Sequence, residues 1–270
     1  MGHTHLIVGA GRMGGALIKG WTRGRKPVVS PERIAILDPS PGDDAKAAIE
    51  AGAAHLEALT QTMRDVEHLI IAVKPQMFDQ TAPKLAEFIP QTTLVTSIMA
   101  GVSLARLADA FPERPLVRAM PNTPASIGAG MTAFTTSAGV SKSQKKDVKR
   151  LLSAAGKVEE VASEHMIDIV TSVSGSGPAY VFYLTEALEA AALDVGMPAD
   201  IAPLFARETI IGAAELLKKS DMPAEAQRIA VTSPGGTTQA ALDVLMGEGG
   251  MAPLMKLAVR AALKRAKELS

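Results

Sequence analysis

Three glycines, Gly9, Gly11 and Gly14, fall in GAGRMG directly behind the apolar run HLIV and ahead of a helical pattern. That spacing, in that context, is chemistry for gripping a diphosphate. Gly9 permits a tight turn, Gly11 lets the backbone approach the phosphates, and Gly14 lets the helix pack on the strand. The helix N-terminus adds N–H groups and a partial positive charge, and Ala10, Arg12 and Met13 complete the loop. Asp38 ends a second apolar run, RIAILD, close to where an acidic side chain takes the adenosine ribose hydroxyl of NAD. Asp38-Pro39 is equally a turn-forming pair. Ser40, with Arg12 near enough in sequence to pair with the same group, is a candidate to hold the 2′-phosphate of NADP instead. Lys74 closes HLIIAVK at the edge where open parallel sheets bind ligands. It either hydrogen-bonds a ribose or phosphate or caps a loop. SIMAG at 97–101 and AMPNT at 119–123 end two further strands on the same edge. Asn122 is the polar candidate to face a nicotinamide carboxamide, although Pro-Asn is also ordinary turn chemistry.

These residues need a sheet to hold them. HLIVGAG, RIAILD, HLIIAVK and TLVTSIMA alternate with helical patterns. That order predicts a βαβα, doubly wound α/β fold of the Rossmann type around a parallel sheet. PLVRAMPN at 115–122, MTAFTT at 131–136 and KVEEV at 157–161 are candidate further strands, with a basic amphipathic helix at Ser141–Ala155. From about Ser163 the strand-like runs stop and helical periodicity takes over. The expected division is a dinucleotide-binding domain at 1–162 and an all-helical domain at 163–270. The later helices are alanine-rich and apolar over much of their circumference, more than one small bundle can bury, so a partner subunit is expected to cover them. Two glycine-rich segments interrupt them: SGSGPAY at 174–180 and SPGGTT at 233–238. In the second, Gly235 and Gly236 precede Thr237 and Thr238. A helix starting there would gather N–H groups and two hydroxyls into a carboxylate receptor, or would be a plain N-cap.

Composition narrows the partners. In 270 residues, 28 basic side chains balance 28 acidic ones, so no global field points to nucleic acid or an anionic membrane. A small-molecule partner is expected. The absence of cysteine removes disulfides, thiolate nucleophiles and sulfur-held zinc, and it fits a reducing, cytoplasmic setting. The start, MGHTHLIVGAG, lacks the basic and long apolar regions of a signal peptide, and no apolar run reaches membrane-spanning length. His3, His5, His55, His68 and His165 show no metal or acid–base spacing, so no metal is expected.

Taken together, GAGRMG, AVKPQ at 72–76, SIMAGVSL at 97–104, RAMPNTPA at 118–125, VSGSGPAYVF at 173–182 and VTSPGGTTQAAL at 231–242 resemble the pyrroline-5-carboxylate reductase family over nearly the whole chain. The resemblance implies a Rossmann domain, a helical dimerisation domain, active sites completed across an intertwined homodimer, and often larger rings of dimers. It implies reduction of 1-pyrroline-5-carboxylate to L-proline by hydride from NADPH or NADH. By the same resemblance Gly236, Thr237 and Thr238 hold the substrate carboxylate with Ser233 nearby, and Glu164 stands near the substrate nitrogen. Ala72, Val73, Lys74 and Pro75, with Ile98, Met99 and Ala100, line the cofactor. Many members carry a small polar or basic cluster where this chain has Asp38-Pro39-Ser40, which sets the usual NADPH preference against a local carboxylate. Thr238, or a water it holds, is the candidate proton donor. Two rivals share parts of the plan. A β-hydroxyacid dehydrogenase needs a helix lysine that the region around SGSGP does not offer, and a non-catalytic dinucleotide-binding regulator has no need of the SPGGTT turn.

Overall fold

The computed structural model describes residues 2–59 and 63–269. They fall into two compact units, one running as far as Ser176 and taking in the chain from Ala262 on, the other spanning Gly177–Ala261.

The first unit alternates strand and helix: β1 (His5–Val8), α1 (Arg12–Thr22), β2 (Ile34–Leu37), α2 (Asp43–Glu50), β3 (Ala54–Leu56), β4 (His68–Ile71), α3 (Phe78–Phe88), β5 (Leu94–Ser97) and α4 (Leu104–Ala110). It continues through β6 (Leu116–Met120), β7 (Gly130–Thr136), α5 (Lys142–Leu152), β8 (Gly156–Glu160) and α6 (Glu164–Val170). The eight strands are ordered β3-β2-β1-β4-β5-β6-β7-β8. The chain winds outward from β1 in one direction and then returns to its other side at β4. That is a topological switch point, where open sheets of this kind leave a crevice.

Strand alternation sorts the apolar side chains into two cores. Ile7, Ile34, Ile36 and Ile70 point to one face, packing with Leu17, Ile18 and Trp21 of α1, Ala45 and Ala48 of α2, and Leu151 and Leu152 of α5. Leu6, Val8, Leu69 and Ile71 point to the other, against Phe78 and Leu85 of α3 and Leu107 of α4. Both faces are covered, which is why these strands read as unbroken apolar runs. Trp21 is fully buried and its Nε1–H donates to the Leu151 carbonyl at 2.9 Å, fixing α1 to α5.

Two features differ from the expected plan. Strand β3, parallel to β2, had no counterpart among the apolar runs, and β7 runs antiparallel to β6. The link between β6 and β7 holds only a 3₁₀ segment, Thr123–Ile127, which is too short for a crossover, so the chain must turn back.

The break between compact units comes later than the expected 162/163 boundary because α6 is pinned to β6. Arg118 Nη1 donates to Glu164 Oε1 at 2.8 Å and Nη2 to Asp168 Oδ1 at 2.9 Å, with the arginine side chain 4% exposed. Glu164 Oε1 also accepts the Leu104 N–H at 2.7 Å, at the start of α4. At the opposite end of the sheet, His5 is buried, stacks on His68 with ring centroids 4.9 Å apart, and shares a 2.8 Å hydrogen bond between its Nδ1 and Thr4 Oγ1. Burial, and then the neighbouring His68, Arg33 and Arg150, lower the His5 pKa to about 3.

The second unit comprises α7 (Gly177–Asp194), α8 (Ala202–Lys219), α9 (Ala224–Ala230), α10 (Thr237–Leu245) and most of α11 (Met251–Leu269). A π-helical turn, Thr171–Gly175, precedes α7.

Two outcomes follow. Arg118→Met removes the guanidinium between two carboxylates, one of them deeply buried, and is expected to lower unfolding free energy by about 3–5 kcal/mol in urea titration. The folded state resists protonating His5 while the unfolded chain accepts a proton at the ordinary histidine value. The stability this histidine contributes is therefore present above about pH 6.5 and lost as pH falls toward about 3. His5→Asn should lose less stability than the parent between pH 7 and pH 5, with the midpoints read by denaturant titration.

Candidate active site

A cleft of about 650 Å³ opens at the C-terminal ends of β1, β2 and β4. Gly9, Gly11, Asp38, Ala72, Val73 and Lys74 line it, joined by Glu57 just after β3 and by Lys84 and other residues of α3. Backbone clearance explains the glycines. Gly9 has φ +90°, and a Cβ there would lie 2.8 Å from the Ala72 carbonyl. A Cβ on Gly14 would lie 2.1 Å from the Gly9 carbonyl oxygen, so only glycine lets α1 start this close to β1. In front of Gly11 there is nothing within 4 Å of a Cβ position. Gly11 is also the N-cap of α1, with no side-chain cap and no acidic residue in the first turn. The helix therefore presents unfilled N–H donors beside open space, and these residues fit a dinucleotide diphosphate.

Asp38 is held from several sides. Its Oδ2 accepts the Ala10 N–H at 2.6 Å, and its Oδ1 accepts the Ser40 N–H at 2.8 Å. Its carbonyl lies 2.8 Å from His55 Nε2. The turn-forming reading of Asp38 is therefore correct, and the same carboxylate also lines the cleft. Ser40 is exposed but outside the lining, and its backbone rather than its hydroxyl makes the contact with Asp38.

Other expected cofactor residues divide between surface and core. Lys74 is exposed and caps a 3₁₀ turn that begins at Pro75. Arg12 is exposed, Met13 packs against the core, and Ala10 is fully buried, so Ala10 and Met13 serve the loop through backbone and packing. Ile98 and Met99 send their side chains into opposite cores, leaving Ala100 as the exposed member of that trio.

Asn122 is likewise occupied. Its Nδ2 donates to the Ser174 carbonyl at 3.1 Å, and its Oδ1 accepts the Met131 N–H at 2.8 Å. It ties the loop after β6 to the π-helical turn and to β7. Glu164 is held through Oε1 by Arg118 and the Leu104 N–H, with its side chain 32% exposed. Its signal in the sequence was position alone, and Arg118 carried no mark of its partnership.

Within the helical unit, Ser233 precedes a turn closed by Gly236 N–H donating to the Ser233 carbonyl at 3.0 Å. Gly235 takes φ +67°, and α10 begins at Thr237 with Gly236 as N-cap and no side-chain cap. Thr237 and Thr238 are exposed. Helices α7, α9, α10 and α11 bury no residue, and α8 buries only Ala202 and Ala206. Phe182, Tyr183, Phe205, Leu254 and Leu257 stand exposed by more than half. An apolar surface this broad needs a partner.

Residues 164–269 match the family model described as pyrroline-5-carboxylate reductase dimerisation, and residues 5–101 match that of the coenzyme F420-dependent NADP oxidoreductases. The chain carries a dimerisation domain and forms a homo-oligomer that acts on a small molecule with NAD(P)H. A pyrroline-5-carboxylate reductase of Synechocystis is 45% identical over 203 residues, covering 75% of each chain. A solved pyrroline-5-carboxylate reductase of Coxiella burnetii superposes with a TM-score of 0.90 at 32% identity, covering 100% of this chain and 99% of that one. The Plasmodium falciparum enzyme, solved with NADP bound, superposes at 0.82 with 26% identity over 98% and 97% of the two chains. Its sheet, its helical unit and its similarity to these enzymes along nearly its whole length place this chain in the pyrroline-5-carboxylate reductase family.

Proposed function

We propose that this protein reduces 1-pyrroline-5-carboxylate to L-proline, the last step of proline synthesis, using NAD(P)H. The observation that carries the reading is the pair of glycine-capped helix starts, α1 at Gly11 and α10 at Gly236. Neither is closed by a side chain and neither has an acidic residue in its first turn. One suits a diphosphate and the other a carboxylate, the two anions that a reductase of this family must hold.

When bound, the dihydronicotinamide supplies a hydride to C5 of the protonated imine, and the ring nitrogen becomes the amine of proline. The chain's own work is to hold and orient. Gly9, Gly11 and Gly14 seat the cofactor loop, and Ala72, Val73 and Lys74 border its cleft. The Gly236, Thr237 and Thr238 turn, with Ser233, holds the substrate carboxylate. The Thr238 hydroxyl, or a water on it, keeps the imine nitrogen protonated. A protonated imine is already electrophilic, so positioning supplies most of the rate. Glu164 contributes indirectly, as a carboxylate that fixes Arg118 and the start of α4 at the entry to α6. The exposed apolar helices support an intertwined dimer that completes each site, with further assembly of dimers into a ring. The balanced charge and lack of cysteine support a cytoplasmic setting, and no described helix is long and apolar enough to cross a membrane.

Nicotinamide oxidation should follow mixing of the protein with 1-pyrroline-5-carboxylate and NADH or NADPH, read at the reduced-nicotinamide absorbance. No oxidation with either cofactor would sink the reading. Thr238→Ala should lower kcat by about 100-fold while leaving cofactor affinity within about twofold. A variant as active as the parent removes Thr238 from proton transfer.

A further inference from the structure

We infer that Asp38 makes this chain selective for NADH over NADPH. The inference rests on the dinucleotide reading of the cleft and adds to it which of the two cofactors the site takes.

Two backbone groups hold the Asp38 carboxylate. Each oxygen accepts one backbone N–H, from Ala10 at 2.6 Å and from Ser40 at 2.8 Å. One of those donors belongs to the glycine loop itself, so the end of β2 and the diphosphate loop are locked together. A carboxylate oxygen has two acceptor positions, which leaves one on each oxygen. Two free acceptors on a fixed side chain that lines the cleft match the adjacent 2′ and 3′ hydroxyls of a ribose. They do not match a 2′-phosphate, which brings its own negative charge and only acceptors. In a partly desolvated cleft that repulsion is strong, and Asp38 cannot swing aside without giving up both hydrogen bonds.

The charges that follow β2 point the same way. The segment from the end of β2 into α2 reads DPSPGDD, with three carboxylates and no lysine or arginine. Asp44 pairs with Lys19 at 3.1 Å, so that cation is already engaged. Ser40, the residue best placed in sequence to favour a phosphate, lies outside the cleft lining, while Glu57 adds a second carboxylate to the rim beyond β3. The cations of the cleft, Lys74 and Lys84, come after β4 and on α3, both exposed on flexible stems. A mobile lysine competes poorly with a carboxylate fixed at two points. The Plasmodium relative solved with NADP shares 26% identity, and the selectivity inferred here is a property of this chain's β2 end.

The test is direct binding. NAD⁺ and NADP⁺ are titrated into the full-length protein by calorimetry, with no substrate present. The parent should bind NAD⁺ at least about tenfold more tightly, or about 1.4 kcal/mol. Asp38→Asn keeps an acceptor but removes the charge, and should narrow the ratio by about tenfold. Ser40→Arg leaves the backbone bond to Asp38 in place and should tighten NADP⁺ by about tenfold, so the inference stays testable if the first variant folds poorly. Equal or tighter NADP⁺ binding by the parent overturns it. So does a parent ratio that neither substitution moves. Binding of neither dinucleotide overturns the cofactor reading and this inference with it. Tight NAD⁺ binding without turnover of 1-pyrroline-5-carboxylate upholds the selectivity and sinks only the reductase reading.

Discussion

The rest of the first unit depends on how closely α1 approaches the strand that precedes it. A side chain at Gly14 would collide with the Gly9 carbonyl, and one at Gly9 with the backbone of Ala72 on the next strand over. With side-chain atoms at those two positions, α1 could not start from Gly11 with its end turned to open space, and the Ala10 N–H could not reach Asp38. The crevice at the switch point is a general property of the winding. That it is lined by donors on one wall and a fixed carboxylate on another follows from this contact.

The sheet holds the remaining parts in register with that loop. Period-two alternation sends Leu6 and Val8 one way and Ile7 the other, so both faces acquire cores and the strand ends are left to carry chemistry. The antiparallel return at β7 brings Met131 to Asn122, whose other end reaches Ser174 in the π-helical turn. A π turn breaks the regular helical ladder and is common near functional sites. Here its carbonyl is held by a side chain from the loop at the sheet edge.

Much of this was legible in the sequence, for identifiable reasons. The apolar runs are continuous because these strands are covered on both faces, and the glycine spacing has meaning only where a strand meets a helix. Strand β3 escaped notice because three residues, Ala54–Leu56, carry too little pattern to register. The protein's own long-range contacts were not legible: Asn122 reaches Ser174, Glu164 is held through Oε1 by Arg118 and Leu104, and nothing local in the chain marks partners dozens of positions away. The sequence also carried no sign that Ile98 and Met99, just past β5, would send their side chains into opposite cores. The helical unit was read from its periodicity, and the need for a partner from its excess of apolar surface, a signal that reports what one copy of the chain is unable to bury.

That excess has a consequence for the population of molecules. Helices with almost no interior of their own gain a core only on meeting a second copy, so folding of this unit is a second-order event governed by chain concentration. Where two alleles are expressed together, subunits will mix, and a defective chain will enter hybrid assemblies with sound ones. A lesion at the strand ends that spoils the cleft but leaves these helices able to pair should then act dominantly, while a lesion that blocks pairing, or one in the sheet core that removes the chain before it can pair, should be recessive.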